Sequence, residues 1–307
     1  MTRRADERTA RETARQTLKD ASLLSLPIDL DVLAAQHDLP VVTRAGLPRG
    51  QYGAFCFYDN TYQIILSPDC PTEGHRRFTL AHELGHFFLD GHLDAMFAGG
   101  GQVAVSGGSH FRGQQKPWYE READTFAAEL LAPFSLTQSL IAAGEPGLLG
   151  IQRLASQCLT SLSCAAIQYA SACPQALAVL LSHDGVLEWA AMSEPLRAHS
   201  WARVPVRGEW VPPRSATKQL SRSTGTTSEA TERIGQLAEW FERAPDVPVK
   251  EEVQLLGSFG RVLTVLTCSE LRSPEYYEFQ REQTERPSTW TGALRTWNWD
   301  SYEELDD

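Results

Sequence analysis

Two histidines four residues apart, His82 and His86, with an acid between them at Glu83, constrain this chain more than any other feature of its sequence. The segment Thr79-Leu80-Ala81-His82-Glu83-Leu84-Gly85-His86-Phe87-Phe88 reads H-E-x-x-H inside a helical apolar pattern. Residues four apart share one helix face, so both imidazoles can reach a single ion at about 2.1 Å. Glu83 falls one position along, beside the ion, where a carboxylate can act as general base. Leu80, Leu84, Phe87 and Phe88 bury the helix around the site.

A catalytic metal needs a third protein ligand, and three sources compete. His92, six residues after His86, has the H-E-x-x-H-x-x-G-x-x-H spacing, but Leu89 stands where the glycine belongs and Gly91 turns the chain too late. Asp90 and Asp94 are equally local and gain no better turn. Glu120 opens a later helix in the run Glu120-Arg121-Glu122-Ala123-Asp124. That E-x-x-x-D spacing puts Glu120 and Asp124 on one face, so Glu120 can bind the metal while Asp124 accepts the N–H of a ligand histidine. We favour Glu120. The donors suit Zn2+, and Mn2+ is another divalent cation they can take.

The surrounding pattern predicts an α+β chain. Helices are expected over 6–20, 28–36, 73–90 (capped by Thr72), 118–131, 135–143 and as a pair within 148–172, with strands at 39–43, 51–58 and 62–67. Asp59-Asn60 reads as a hairpin, and the glycine-rich 98–116 as a mobile loop that can act as a lid. After Pro174, strands at 176–182 and 186–192 flank the hairpin signature His183-Asp184-Gly185. Residues 212–231 read as an exposed loop, 232–243 as a helix, and 252–257 with 261–268 as a second hairpin around Ser258-Phe259-Gly260. At 307 residues, more than one domain is expected: 1–147 carrying the metal helix, a helix pair at 148–174, and an α+β domain at 175–307.

Charge narrows the partners. The formal net charge of −11 disfavours nucleic acid or an anionic membrane as the main partner. Residues 150–170 look like a helix-turn-helix, yet carry one charged residue, Arg153. A DNA-reading helix needs donors for phosphates and base edges, so this pair reads as packing. The basic residues Arg203, Arg207, Arg214, Lys218 and Arg222 read as a solvated loop, and Trp290, Trp297 and Trp299 as packing. The first twenty residues lack the apolar stretch of a secretory signal, and no run approaches the roughly 20 apolar residues that span a bilayer. Cys56, Cys70, Cys158, Cys164, Cys173 and Cys268 form no C-x-x-C pair, so free thiols in a reduced, cytoplasmic compartment are expected. No oxyanion partner is identifiable; His110 and Tyr119 read as loop or packing residues.

The segments Arg77–His86 and Glu120–Pro133 together resemble the ImmA/IrrE family of metallopeptidases, whose pattern over the second is E-x-x-A-N-x-F-A-x-x-L-L-x-P. Asp124 stands where Asn is usual and can serve the same outer role. The resemblance covers roughly residues 10–172. It implies a zincin-like, mostly helical peptidase domain with a small sheet, in which His82, His86 and Glu120 hold zinc and Glu83 is the catalytic carboxylate. It also implies site-specific cleavage of a DNA-binding repressor, usually a helix-turn-helix protein, in a stress, mobile-element or phage-defence response. Some members carry a GAF-like sensory domain where 175–307 lies, and the two hairpins are compatible with one. A reading from a different class is a regulatory, ligand-sensing protein with a structural or vestigial metal site. Glu83 separates the two, because a structural site gains nothing from a carboxylate beside the metal.

Overall fold

The chain enters its first helix, α1 (Glu7–Asp20), through Asp6, whose carboxylate accepts the Thr9 N–H; α2 (Leu30–Gln36) starts likewise on Asp29. Strands β1 (Val41–Thr43), β2 (Gly53–Tyr58) and β3 (Thr61–Leu66) follow, then α3 (Glu73–Phe88), capped by Thr72 at 3.1 Å from the His75 nitrogen. Gly91, at φ 75°, turns the chain into the short α4 (His92–Phe97). Next come β4 (Val103–Ser106), α5 (Trp118–Leu131), α6 (Phe134–Ala143), α7 (Leu148–Cys158) and α8 (Leu162–Ala172). The remainder runs β5 (Leu177–His183), β6 (Val186–Met192), α9 (Glu194–Arg197), α10 (Ala216–Arg222), β7 (Thr231–Gln236), β8 (Pro248–Leu256), β9 (Arg261–Thr267) and α11 (Pro274–Glu285). This computed structural model describes residues 3–58, 61–100, 103–106, 116–222, 230–257 and 260–285. Met1–Leu271 forms one compact unit, and Arg272–Asp307, with α11, a second.

The architecture is α+β with two sheets. The first has the order β1-β3-β2-β4, with β1 parallel to β3 and the other pairs antiparallel. One apolar cluster joins α1, α2, β2, β3, α3 and α5 through residues such as Ala14, Leu33, Phe55, Ile64, Leu84, Phe126 and Leu130. The second sheet is antiparallel throughout, in the order β6-β5-β9-β8-β7. Its interior strand β5, between β6 and β9, is buried on both faces, which is why it reads as a continuous apolar run. Leu177 and Val179 face a cluster containing Ala132, Ile141 and residues of α7 and α8; Ala178 and Leu180 face another, with Leu237 and Phe241. The helix pair therefore shares its core with the second sheet.

Three expectations are corrected. The loop at 98–116 contains β4, which pairs from Gly53↔Ser106 to Cys56↔Val103; glycine-rich flanks concealed four strand residues. The loop at 212–231 contains α10, held by the Thr217 amide and hydroxyl donating to buried Glu251 at 2.9 and 2.8 Å. The helix at 232–243 is instead β7 and a 3-10 turn at Leu237–Glu239. Its apolar spacing is helical, but Gly235 weakens a helix, and six residues find ladder partners from Thr231↔Val253 to Gln236↔Pro248.

The Asp184-Gly185 turn has both residues at positive φ, 53° and 79°, joining β5 to β6 as a two-residue hairpin connection. Asp59-Asn60, Ser258-Phe259, His110, residues 107–115 and the three C-terminal tryptophans lie outside the described residues. All six cysteines are free, five of them buried. Among the described residues no single helix is long and apolar enough to cross a membrane; the bent pair α5–α6 passes by composition, and α5 lies within the first core.

Candidate metal centre

The site exists because α3 and α5 approach closely. Gly85 faces α5 with no side chain: a Cβ there would lie 3.1 Å from Phe126 Cδ1 and 3.3 Å from the Ala123 Cα. The small pair Gly85–Ala123 thus sets the helix separation. Glu120 lies one turn before Ala123 on the same face of α5, so this contact carries its carboxylate to His82 and His86 on α3.

His82 Nε2 lies 3.1 Å from His86 Nε2, and Glu120 reaches them at 3.3 and 3.6 Å. A tetrahedral ion with bonds near 2.05 Å separates its ligands by about 3.3–3.4 Å. The spacing therefore fits such an ion, and two imidazoles with one carboxylate are the donor chemistry zinc takes at a hydrolytic centre. All three side chains are buried. Among the described residues they are the group whose donor atoms lie within 4.8 Å of one another. Asp90 and Asp94 contribute no donor to it.

The outer nitrogens of both rings are also engaged. His82 Nδ1 lies 3.0 Å from Asp124 Oδ1, while Lys116 pairs with the other oxygen of Asp124. His86 Nδ1 lies 3.0 Å from His92 Nδ1, and His92 Nε2 lies 2.9 Å from Glu122 Oε2. His92 therefore stands on the far side of the His86 ring from Glu120 and is no member of the triad. Gly91 bends the chain late, and the bend aims His92 at the back of a ligand rather than at the ion.

Electrostatics follow from this packing. Burial alone would depress the His82 pKa; hydrogen bonds to Asp124 and Glu120, and their charges, outweigh it and raise it to about 10. Burial lowers His86 to about 4, against the Glu120 bond and with the neighbouring His82 and His92 charges adding. Burial pushes the Glu120 carboxyl up, but its bonds to His82 and His86 hold it well below the usual range. Asp124, likewise raised by burial, is held low by His82 and Lys116. Two ionised carboxylates around two rings hold a positive charge at this point.

Glu83 is fully buried one position from His82 and lies against β2: a Cβ on Gly53 would come within 2.3 Å of its Oε1. The bare backbone at Gly53 is what makes room for this carboxylate beside the triad. Tyr119 packs its ring 6.0 Å from that of His86. Sequence reasoning weighed His92 only as a third ligand, and missed its place, with Glu122, as an outer partner. An imidazole in a tight turn six residues after a ligand, and a second acid in the E-R-E run, were the available signals.

Residues 36–140 match a peptidase family model described as the IrrE N-terminal-like domain. No curated protein matches the chain. Among solved structures, a Mycobacterium tuberculosis transcriptional regulator is similar at 13% identity over 85% of this chain and 76% of that one, with a TM-score of 0.49.

Proposed function

We propose that this chain, whose residues 36–140 match the IrrE N-terminal-like family model, is a zinc-dependent endopeptidase of the ImmA/IrrE kind that cuts a protein substrate at a defined site. The observation that carries the reading is the convergence of His82, His86 and Glu120 at coordination spacing with Glu83 buried beside them. His82 Nε2, His86 Nε2 and a Glu120 oxygen would hold the ion. When bound, zinc supplies a Lewis acid that activates water and polarises the scissile carbonyl. The Glu83 carboxylate would take a proton from the water as its oxygen adds to the carbonyl carbon, and then hand that proton to the amide nitrogen, so that the C–N bond breaks after the C–O bond has formed. Asp124 holds the His82 ring by its Nδ1–H, which leaves the Nε2 lone pair for the metal.

The substrate in this reading is a helix-turn-helix repressor, met in the cytoplasm, whose cleavage releases stress, mobile-element or defence genes. Direct nucleic-acid or membrane contact has no part in it. The functional division runs at 147 and 174: a peptidase segment, a helix pair that offers a surface to the substrate protein, and a C-terminal sensory segment. A five-stranded antiparallel sheet supports a GAF-like assignment for the last.

The test incubates the chain with the helix-turn-helix repressor encoded beside its gene, with zinc, with chelator, and with Glu83→Gln. Expected are fragments from the zinc-loaded wild type alone, and a loss of about 10²–10⁴-fold for Glu83→Gln with zinc still bound. Cleavage by Glu83→Gln at the wild-type rate would sink the hydrolase reading. Zinc binding with no cleavage of any substrate would favour the sensory protein with a vestigial site.

A further inference from the structure

We infer that His92 and Glu122 are positioning residues for the metal ligand His86, fixing its tautomer through two imidazole rings, with the N-terminal arm at Arg3–Asp6 anchoring the outer end. The inference rests on the metal reading above and goes beyond it, since neither residue offers a donor atom to the ion.

The chain of contacts is continuous and buried. His86 Nδ1 meets His92 Nδ1 at 3.0 Å, and His92 Nε2 meets Glu122 Oε2 at 2.9 Å. Glu122 Oε1 accepts the Asp6 backbone N–H at 2.8 Å, and Arg3 Nη2 lies 3.5 Å from Oε2. The Arg3 guanidinium also lies over the Trp118 ring at 3.8 Å, and Trp118 stands edge-on to His92 at 5.1 Å. His86, His92 and Glu122 are each almost wholly removed from solvent.

Proton bookkeeping turns this line into a device. An ionised carboxylate only accepts hydrogen bonds, so Glu122 requires the proton of neutral His92 to sit on Nε2. His92 Nδ1 then carries a lone pair, and the contact to His86 is a hydrogen bond only if His86 bears its proton on Nδ1. That leaves the His86 Nε2 lone pair facing His82 and Glu120, where a metal ligand needs it. In the opposite arrangement His92 Nδ1–H would donate to His86, the His92 Nε2 lone pair would face the Glu122 carboxylate at 2.9 Å, and His86 Nε2–H would fill the coordination position. The carboxylate thus selects the coordinating tautomer two rings away, as Asp124 does directly for His82. The bland alternative, a satisfied core histidine, predicts no dependence of the His86 tautomer on residue 92.

The test compares His92→Gln, His92→Leu and Glu122→Gln in the full chain. Glutamine at 92 can still accept from His86 Nδ1–H and donate to Glu122, whereas leucine can do neither. Zinc affinity is read by competition with a chromophoric chelator. The tautomers are read in metal-free protein from long-range proton–nitrogen spectra of the imidazoles. Expected are a roughly 10–100-fold loss of zinc affinity for His92→Leu, near-wild-type affinity for His92→Gln, and an intermediate loss for Glu122→Gln. In the spectra, His86 should be an Nδ1–H tautomer in wild type and mixed in His92→Leu and Glu122→Gln. Equal affinities for the leucine and glutamine variants, or an unchanged His86 tautomer in both His92→Leu and Glu122→Gln, would overturn the inference. If wild type bound no zinc, the metal reading would fail, while the tautomer spectra would still decide this one. Should His92→Leu fail to fold, Glu122→Gln, which keeps the volume, carries the same decision.

Discussion

Gly85→Ala adds one methyl group at the closest point between α3 and α5. The new Cβ would lie 3.1 Å from Phe126 Cδ1 and 3.3 Å from the Ala123 Cα, against ordinary carbon contacts of about 3.5–4.0 Å. The Phe126 ring can turn aside; the Ala123 backbone cannot. Relief therefore requires α5 to retreat by roughly 0.3–0.5 Å at this contact. Glu120 moves with α5, and His86 Nε2 and Glu120 Oε1 are already 3.6 Å apart. Coordination distances tolerate only about 0.2 Å, so the carboxylate is carried beyond good reach of the ion.

We expect zinc affinity to fall about 10–100-fold, comparable to the loss of an outer-shell partner and equal to about 1.4–2.8 kcal/mol. Fold stability without metal should change less. The alanine gains about 1 kcal/mol of helix propensity, which offsets much of a crowding cost of about 1–3 kcal/mol. Chelator competition gives the affinity, and thermal melts in chelator give the control. Wild-type zinc affinity in Gly85→Ala would refute the idea that this contact sets the coordination distance. So would an affinity loss matched by general unfolding.

The same geometry fixes the outcome at Asp124, at His82 as pH changes, and at Gly53. Asp124→Ala should weaken zinc binding about 10–100-fold, while Asp124→Asn, which keeps a carbonyl acceptor for His82 Nδ1–H, should stay within about threefold of wild type; chelator competition reads both. With the His82 pKa raised to about 10 in metal-free protein, zinc must displace a proton below that pH, so affinity should rise about tenfold per unit from pH 7 toward 9. The sign reverses for the metal-free fold: a pKa above the ordinary 6.5 stabilises fully below pH 6.5 and is lost as pH rises toward 10, so melts in chelator should fall across that window. Gly53→Ala would push the Glu83 carboxylate aside, its Cβ falling 2.3 Å from Oε1. It should cost about 10²-fold in kcat at unchanged zinc affinity, and an equal loss of both would show that the strand supports the triad rather than the base.

What the sequence disclosed and what it concealed divide along a physical line. His82, Glu83 and His86 sit on one helix, so their shared face follows from spacing alone. Glu120 and Asp124 lie 34 and 38 residues beyond His86 by position, and their spacing of four places them on a common helix face. The β5–β6 hairpin was legible because Asp184-Gly185 names its own turn. The failures were tertiary. Residues 231–236 have helical periodicity but are drawn into the sheet by β8, and α10 is fixed by Glu251 from another element. The relay through His92 requires a turn geometry at Gly91 and a partner thirty residues away, neither of which spacing along the chain encodes.

The charge balance gives the site its logic. Glu120 and Asp124, both held ionised, flank His82; Glu122 stands behind His92, and Arg3 and Lys116 neutralise only the outer edge. Carboxylates this close, with Glu120 and Glu122 buried and Asp124 partly so, are costly unless a cation lies among them. Below pH 10 a proton on His82 supplies part of that charge, and a divalent ion would supply more at the point where three donors already converge. Hydrogen bonds from the outer partners set which nitrogen of each ring faces inward, so the centre is arranged before the ion arrives. Such preorganisation favours binding because the rings need not be ordered at that moment.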